Sequence, residues 1–569
     1  MIADFLLNLL ASLAYDLLKS LPSHFRGRQE DLLPDLRAEL ARQTQALEAL
    51  NSVLARLGSE RVVRIEGSTS GSVIITGDVN LSERGVHIDG SVINSVIITG
   101  DGNRAIVPDG GVLAQRWQEL QVGDAEAADL YRERIAWRYA HLAFPLSGLS
   151  FHALLEQVYQ PLQAAPVKDL TRWYQAERAP LHERCETDEL LTEDRPIALL
   201  GLLGGGKTTT LHYLTWAYAR RTEDRLLWRG DELIPFYVTA RDLAEAWQDE
   251  TDFLPACARA VTRARHHPLC SPYLAHRALE SALKQGNTLL LIDALDEHRV
   301  PDATRRDFLL ALHSTWQEEP FRDNLLLLTS RPHAFLETGF RPYALQPLDD
   351  PRLERLAYRL GKALLQERGE SETEQGAKLE TLSRLVVSPH MAMFASPFYV
   401  TLLTLAICRS AHFADGLAQA QRLGRLADLY RFFLRQTIRW EQAKPDAPSV
   451  DEEIALKALA ELGWQTFAEP PWQERLAQGL LSNSERRAAL SFWQRTGLFQ
   501  QDEFTGEWAF SHGGFQLFGA ALMLNEAWKP GQQETIRHLQ RETALLTDWD
   551  TVWQLFYGLR GEAYERTAS

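Results

Sequence analysis

Eight residues near position 200 have the types and spacing of a phosphate-binding loop. The segment 201–208 reads Gly-Leu-Leu-Gly-Gly-Gly-Lys-Thr, after an apolar run at 197–200 and before a helix-like stretch at 209–220. Glycines let successive backbone N–H groups turn toward phosphate oxygens, and the positive end of the following helix faces the same charge. Lys207 can then reach the β- and γ-phosphates, and the Thr208 hydroxyl can ligate Mg²⁺. The expected contacts are Gly201, Gly204, Gly205, Gly206, Lys207, Thr208 and Thr209.

The pattern therefore predicts binding of a nucleoside triphosphate, and the alternative is an ordinary glycine-rich turn.

A second apolar run, 288–297, reads Thr-Leu-Leu-Leu-Ile-Asp-Ala-Leu-Asp-Glu, which predicts a buried parallel strand that ends in acids. At the carboxyl end of this strand, Asp293 would hold the water shell of the magnesium ion. Asp296 or Glu297 would orient the attacking water. The alternative is an apolar strand followed by solvated acids.

A third apolar run, 324–332, ends in Thr-Ser-Arg-Pro. It places Arg331 where a guanidinium could sense the γ-phosphate, because its planar fork bonds phosphate oxygens in pairs. The three runs together predict a parallel α/β sheet that carries these groups.

The ordered set of motifs resembles the NACHT domain of the STAND class of signalling NTPases, as found in bacterial NLR-like proteins. The segment 234–242, Ile-Pro-Phe-Tyr-Val-Thr-Ala-Arg-Asp, and the leading stretch 155–162 belong to the same resemblance. Residues 396–403 resemble a helical-domain motif, which implies that Pro397 packs on the adenine. Residues 510–518 resemble a winged-helix motif, which implies that His512 contacts the β-phosphate of bound ADP.

The chain departs from this family pattern in two places. Relatives usually carry a glutamate where this chain has Leu517, so the ion pair made by that acid is missing. NACHT receptors also continue into a long repeat array that senses the trigger, and no period of about 20 to 50 residues is visible after His512. Either the sensor is very short, or it is a partner protein, or the chain is a truncated form.

The first 110 residues lie outside the resemblance. Residues 1–21 have a helical pattern with one narrow polar stripe, and Asp4 and Asp16 fit neither a secretory signal nor a simple membrane span. Such a helix can pack in a small N-terminal bundle or be released on activation to engage a membrane. Leucines at alternating spacings of four and three over 36–57, interrupted by Gln43, predict a short coiled coil or a bundle helix.

An internal repeat follows, because the stretch 65–80 recurs at 88–103 with an offset of 23 residues. Both copies contain Ser-Val-Ile-Ile-Thr-Gly-Asp, which predicts short strands joined by turns, as in a β-arch or solenoid. Two copies are too few to cover both ends, so a neighbouring subunit could supply the cap. The layout is distantly similar to the paired repeats through which some NLR-like receptors stack. A plain pair of β-hairpins is the alternative.

We therefore expect an α/β P-loop NTPase followed by α-helical and winged-helix domains, with N-terminal helices and a short β-repeat module before it. The expected boundaries are 1–58 for the N-terminal helices, 61–110 for the repeat, 115–190 for a helical segment leading into NACHT, 191–350 for the NACHT domain, 351–440 for the helical domain and 441–569 for the winged-helix domain and tail. A net charge of −16 argues against general nucleic-acid binding. Four cysteines without a C-x-x-C pair indicate a reduced, cytoplasmic protein.

The resemblance implies a switch that is held closed by ADP, exchanges it for ATP with Mg²⁺, and then self-associates. It also implies a slow ATPase, an unidentified trigger or partner sensor, and a role in bacterial immune, antiviral defence. The alternative is an assembly-forming adaptor whose nucleotide is structural and hardly hydrolysed. Asp296 and Glu297 discriminate between the two, because a site that only binds nucleotide needs no acid beyond Asp293.

Overall fold

The fold is given by a computed structural model of the chain, which divides into two units, Met1–Gly123 and Asp124–Ser569. The structure describes residues 65–66, 69–70, 88–89, 92–93, 97–99, 104–106, 124–140, 155–173, 179–192, 196–221, 233–250, 252–262, 272–297, 302–444, 450–476, 479–501, 508–543 and 546–564. The predicted helices at 1–21 and 36–57 lie outside the described residues.

The N-terminal unit contains short paired strands. They are β1 (Ile65–Glu66), β2 (Thr69–Ser70), β3 (Ile88–Asp89), β4 (Val92–Ile93), β5 (Ile97–Thr99) and β6 (Arg104–Ile106). β1 pairs with β3 and β2 with β4, both in parallel, so that Ile65 lies opposite Ile88 and Thr69 opposite Val92. This register has the same 23-residue offset as the sequence repeat, as expected of stacked repeats. β5 and β6, in contrast, form an antiparallel pair.

The second unit is built around a seven-stranded sheet. Its strands are β7 (Gln163–Pro166), β8 (Cys185–Glu186), β9 (Ile197–Leu200), β10 (Ile234–Thr239), β11 (Thr288–Asp293), β12 (Leu325–Ser330) and β13 (Arg341–Leu345). The spatial order is β10-β11-β12-β9-β13-β7-β8, with five parallel strands and with β7 and β8 antiparallel to their neighbours. All residues of β9, β11 and β12 are buried, as strands covered on both faces require. The predicted α/β P-loop fold is confirmed.

Helices cover this sheet and continue after it. They are α1 (Asp124–Arg138), α2 (Leu155–Val158), α3 (Lys207–Arg220), α4 (Ala240–Asp249), α5 (Phe253–Thr262), α6 (Pro272–Lys284), α7 (Asp302–Trp316), α8 (Asp350–Glu367), α9 (Glu372–Val386), α10 (Pro397–Cys408), α11 (Phe413–Ala420), α12 (Leu426–Gln442), α13 (Glu452–Phe467), α14 (Pro470–Gln473), α15 (Asn483–Arg495), α16 (Gly513–Ala527), α17 (Gln533–Thr543) and α18 (Thr547–Arg560). Among the described residues, none of these helices has the length and hydropathy needed to cross a bilayer.

The segment 115–190 differs from the helical prediction, because β7 and β8 lie within it and extend the sheet. β7 has the sequence Gln-Ala-Ala-Pro, and its two alanines are fully buried between β13 and the rest of the unit. Four residues of this composition carry neither the alternation nor the β-branched side chains by which a strand is recognised. Pairing with β13 therefore determines the strand.

Two helices begin at residues that the sequence analysis singled out. Ser396 caps α10 by accepting a hydrogen bond from the N–H of Tyr399 at 3.3 Å, and Pro397 occupies the first helical position, where it needs no N–H partner. His512 caps α16, and its Nδ1 accepts from the N–H of Gly514 at 3.0 Å. Each cap fixes the direction in which its helix end faces the phosphate loop.

The C-terminal helices α13 and α16 cross without intervening side chains. A side-chain carbon at Gly519 would lie 2.5 Å from the carbonyl oxygen of Leu459 and 2.9 Å from Cα of Gly463. The two backbones therefore touch, and only glycine fits at the crossing. A two-stranded hairpin, β14 (Phe499–Gln501) and β15 (Trp508–Phe510), lies between α15 and α16 in the chain.

We expect Gly519→Ala to lower stability by about 2 kcal/mol or more, because overpacking against backbone outweighs the helix preference of alanine. The matched control is Gly376→Ala in α9, where no atom lies within 4 Å of the added carbon. That change should raise stability by up to about 1 kcal/mol. Thermal unfolding midpoints of both variants decide the matter, and equal midpoints would contradict close packing at Gly519.

Candidate nucleotide-binding site

The phosphate loop joins the carboxyl end of β9 to α3. Gly204 and Gly206 have φ angles of 75° and 94°, in the left-handed region that glycine adopts at little cost. Gly206 is the N-cap residue of α3, and no side chain bonds the helix's first N–H groups from this position. The first N–H groups and the positive end of such a helix are where proteins commonly bind anions.

Lys207 begins α3, and its side chain folds back over the loop. Its Nζ donates to the carbonyl oxygens of Gly201, at 2.7 Å, and Leu202, at 3.1 Å. Thr208 follows in the first turn with an exposed side chain. The ammonium group is thus held over the glycine backbone, where a phosphate group would meet it.

Asp293 ends β11 as predicted, and its carboxylate is held from both sides. The side chain of Thr329 on β12 donates to Oδ1, and the hydroxyl of Tyr237 on β10 donates to Oδ2 at 2.9 Å. Thr329 Oγ1 also accepts the N–H of Ala294, whose φ is 58°, at 3.0 Å. Asp293 itself is 3% exposed. Sequence reasoning missed Tyr237 and Thr329, although both lie within the motifs it quoted.

An aromatic cluster packs around Tyr237, whose hydroxyl holds this carboxylate. The ring of His212, on α3, lies 4.9 Å from the rings of both Tyr139 and Tyr237. Burial lowers the pKa of His212 to about 4, although the nearby Asp293 acts in the opposite direction. The imidazole is therefore neutral near pH 7, and it packs as a ring against Tyr237.

Arg331 follows β12 and makes two ion pairs. Its Nε lies 2.8 Å from Oδ2 of Asp296, whose Oδ1 accepts the backbone N–H of Arg331 at 3.0 Å. Its Nη1 donates to Asp548 of α18. Asp296 is thereby engaged by Arg331, while Glu297 ends the same 3₁₀ turn, Leu295–Glu297. Sequence reasoning missed Asp548, because no local pattern marks a contact between positions so far apart in the chain.

The start of α10 packs directly on the glycines of the loop. The N–H of Phe398 donates to the carbonyl oxygen of Gly204 at 3.3 Å. A side-chain carbon at Gly204 would lie 2.9 Å from Cβ of Phe398. One at Gly206 would lie 3.4 Å from Cγ of Pro397 and 2.8 Å from Cδ1 of Leu162. Pro397 and Leu162 therefore flank the loop, one from the start of α10 and one from the segment before β7.

His512 reaches the same place from the C-terminal part of the chain. Its ring stacks on that of Phe398, with centroids 3.7 Å apart and planes 13° apart. Burial first, and then the charges of Arg331 and Lys207, together lower its pKa to about 3. Since Nδ1 accepts from Gly514, the single proton of the neutral imidazole is on Nε2. His512 can thus donate a hydrogen bond to a phosphate oxygen.

The residues present fit a nucleotide with Mg²⁺. Left-handed glycines form a cradle, and the cationic groups of Lys207 and Arg331 are close enough to His512 to depress its pKa. Such a site stabilises bound anions. Thr208 and Asp293 are the residues that would hold the metal ion, in keeping with its preference for oxygen ligands.

The pKa of His512 leads to a prediction about acid stability. The pKa of His512 in the folded chain lies below its value of about 6.5 in the unfolded chain. As the pH falls below 6.5, His512 therefore takes up a proton only in the unfolded chain, and the folded state loses stability. When the pH falls from 6.5 to 5.5, we expect the wild type to lose about 1 kcal/mol more stability than His512→Asn does. His182→Asn is the control, since that side chain is 79% exposed. Thermal midpoints that fall equally in all three proteins would contradict this expectation.

A family model described as the NACHT domain matches residues 195–363, from just before β9 into α8. Solved structures that the chain resembles include a Walker-type ATPase of Pyrococcus abyssi, with 10% identity over 59% of this chain and 93% of that one, at a TM-score of 0.25. Cdc6p of Pyrobaculum aerophilum shows 13% identity over 63% and 96%, at a TM-score of 0.24.

The ORC2 protein of Aeropyrum pernix, in ADPNP-ADP complexes, shows 14% identity over 63% of this chain and 94% of that one, at a TM-score of 0.26. The comparison with curated proteins gave no match. The motifs, the strand order and the family match agree with one another. Residues 195–363 of this chain are a NACHT domain, the nucleotide-binding module of a P-loop NTPase.

Proposed function

We propose that the chain is a nucleotide-dependent signalling switch, closed with ADP and self-associating with ATP. The observation that carries the proposal is the convergence on one loop of groups from three parts of the chain. Lys207 belongs to the NACHT domain, Phe398 to the helical domain, and His512 to the C-terminal domain. A ligand bound there contacts all three parts, so its identity can control whether they stay together.

The closed arrangement favours a diphosphate. The Nε2–H of His512 would donate to the β-phosphate, in agreement with the role that the NACHT resemblance implies. Arg331, the residue expected to bind a γ-phosphate, is engaged by Asp296 and Asp548. A third phosphate group therefore has to displace existing ionic contacts, whereas ADP does not.

Hydrolysis would be slow as well, because a γ-phosphate has to displace Asp296 or Asp548 before it can bind Arg331. Mg²⁺ bound with the nucleotide neutralises charge on the β- and γ-phosphate oxygens. Thr208 and Asp293 would hold that ion, and Lys207 would bind the phosphates. Because both oxygens of Asp296 are bonded to Arg331, Glu297 is the stronger candidate for orienting the attacking water. An ATPase of this kind acts as a timer rather than as a metabolic enzyme.

Self-association is assigned to the N-terminal repeat. Parallel pairing of β1 with β3 and of β2 with β4 stacks the two copies, and strand edges of this kind accept further strands. Residues 1–21 would serve as the segment that engages a membrane or a partner. We place the protein in the cytoplasm, with which the free cysteines Cys257 and Cys408 agree. Bacterial immune defence is the setting that the NACHT resemblance suggests.

The first test is Lys207→Ala. Removing the ammonium group from the loop should weaken ATP and ADP binding by at least about 100-fold, the scale of a lost charge-assisted contact of about 3 kcal/mol. Calorimetric titration of the full chain measures it. Lys457→Ala, which removes a lysine paired with Glu453 on α13, should leave both affinities unchanged. Unaltered affinity in Lys207→Ala would remove the phosphate-loop assignment.

The second test, Glu297→Gln, separates the switch from the adaptor. This variant should bind ATP normally and hydrolyse it about 100-fold more slowly, the usual scale for losing a group that positions the nucleophile. Trapped with ATP, it should assemble, and light scattering would report the particle mass. Glu280→Gln, at a glutamate that pairs with Lys284 on α6, is the control. If Glu297→Gln hydrolyses ATP at the wild-type rate in a single turnover, Glu297 does not orient the attacking water. That result would favour the adaptor with a structural nucleotide.

A further inference from the structure

Arg331 links the NACHT domain to the last described helix of the chain. Its Nε binds Asp296 beside the site, and its Nη1 binds Asp548 in the first turn of α18. The side chain of Arg331 is 15% exposed and that of Asp296 is 7% exposed, whereas that of Asp548 is 45% exposed. The pair with Asp296 is therefore enclosed, and the pair with Asp548 lies at the rim where solvent can compete.

The other side of the guanidinium faces the residues around His512. A side-chain carbon at Gly513, the residue after His512, would lie 3.9 Å from Nη2 of Arg331. The charge of Arg331 is also near enough to lower the pKa of His512. A nucleotide whose β-phosphate meets His512 would thus bring its next phosphate group toward Arg331.

A carboxylate and a phosphate group are alternative partners for one guanidinium. Both present paired oxygens to its planar fork, and both make charge-assisted hydrogen bonds. Asp548 is supplied by the chain at an effectively fixed position, so it competes with a γ-phosphate but leaves α- and β-phosphates untouched.

A tryptophan fixes the position of Asp548 in the C-terminal part of the chain. The neighbouring Trp549 is 3% exposed, and its ring packs edge-on against Trp464, Phe467 and Trp472 at centroid distances of 5.9, 4.9 and 5.3 Å. Two of these rings belong to α13 and the third to α14. Release of Asp548 from Arg331 therefore leaves the packing of α18 on α13 and α14 intact.

We infer that Asp548 is a specificity-determining residue, which occupies on Arg331 the place of a γ-phosphate and so favours nucleoside diphosphate over triphosphate. Binding of the triphosphate displaces Asp548, and α18 leaves Arg331 together with α13. The inference rests on the proposed function, since it concerns the same site, but it names the group that discriminates between the two ligands.

The test is Asp548→Asn in the full, nucleotide-free chain. Asparagine has the same shape and lacks the charge, so the affinity for a non-hydrolysable ATP analogue should rise about 3- to 10-fold, in keeping with a half-exposed ion pair. The affinity for ADP should change less than twofold. Asp550→Asn is the matched control, because Asp550 lies in the same turn and accepts from Tyr564 at 2.9 Å. It should leave the ratio of the two affinities at the wild-type value.

A second measurement does not depend on the variant. Hydrogen exchange of α18 in the wild-type chain should be faster with the ATP analogue than with ADP. If the wild type binds both nucleotides, an unchanged affinity ratio in Asp548→Asn together with equal exchange of α18 would overturn the inference while leaving the switch intact. If the wild type binds neither nucleotide, the proposed function fails and the inference with it.

Discussion

The close packing on the glycines of the phosphate loop is the constraint on which the rest of the site depends. Gly204 and Gly206 have left-handed backbones, and the atoms that would meet a side chain there belong to Phe398, Pro397 and Leu162. Because these glycines have no side chains, phosphate groups can approach the loop, and for the same reason the start of α10 can pack on it. Because α10 is in contact with these glycines, a change in the conformation of the loop on ligand binding must also displace the start of α10.

The charges around the loop follow from this packing. Lys207 and Arg331 bring two cations close to His512, and burial keeps that imidazole neutral instead of adding a third. Asp296 compensates Arg331 from within the NACHT domain, and Asp548 does so from α18. The region thus has one cation held by backbone carbonyls and one shared with two carboxylates. An anionic ligand is the partner that this arrangement accommodates most readily.

The sequence was sufficient for the parts of the site that depend on local pattern. The loop 201–208 and the strand that ends at Asp293 are defined by adjacent residues, and the structure places them as predicted at the ends of β9 and β11. Tyr237 and Thr329 could not be identified in this way, because their contact with Asp293 requires the spatial order β10-β11-β12. The contact of Asp548 with Arg331 could not be identified from local pattern either, because it depends on the tertiary packing of the second unit.

The relative strengths of the contacts made by α18 indicate which one gives way. Trp549 is almost fully buried, and burying an indole of about 200 Å² is worth roughly 5 kcal/mol. An ion pair with a half-exposed partner, such as Arg331 with Asp548, is worth about 1 kcal/mol or less. On these magnitudes, the contact of Asp548 with Arg331 gives way before the packing of Trp549 on α13 does. A ligand that competes for Arg331 therefore acts on the weaker of these two contacts of α18.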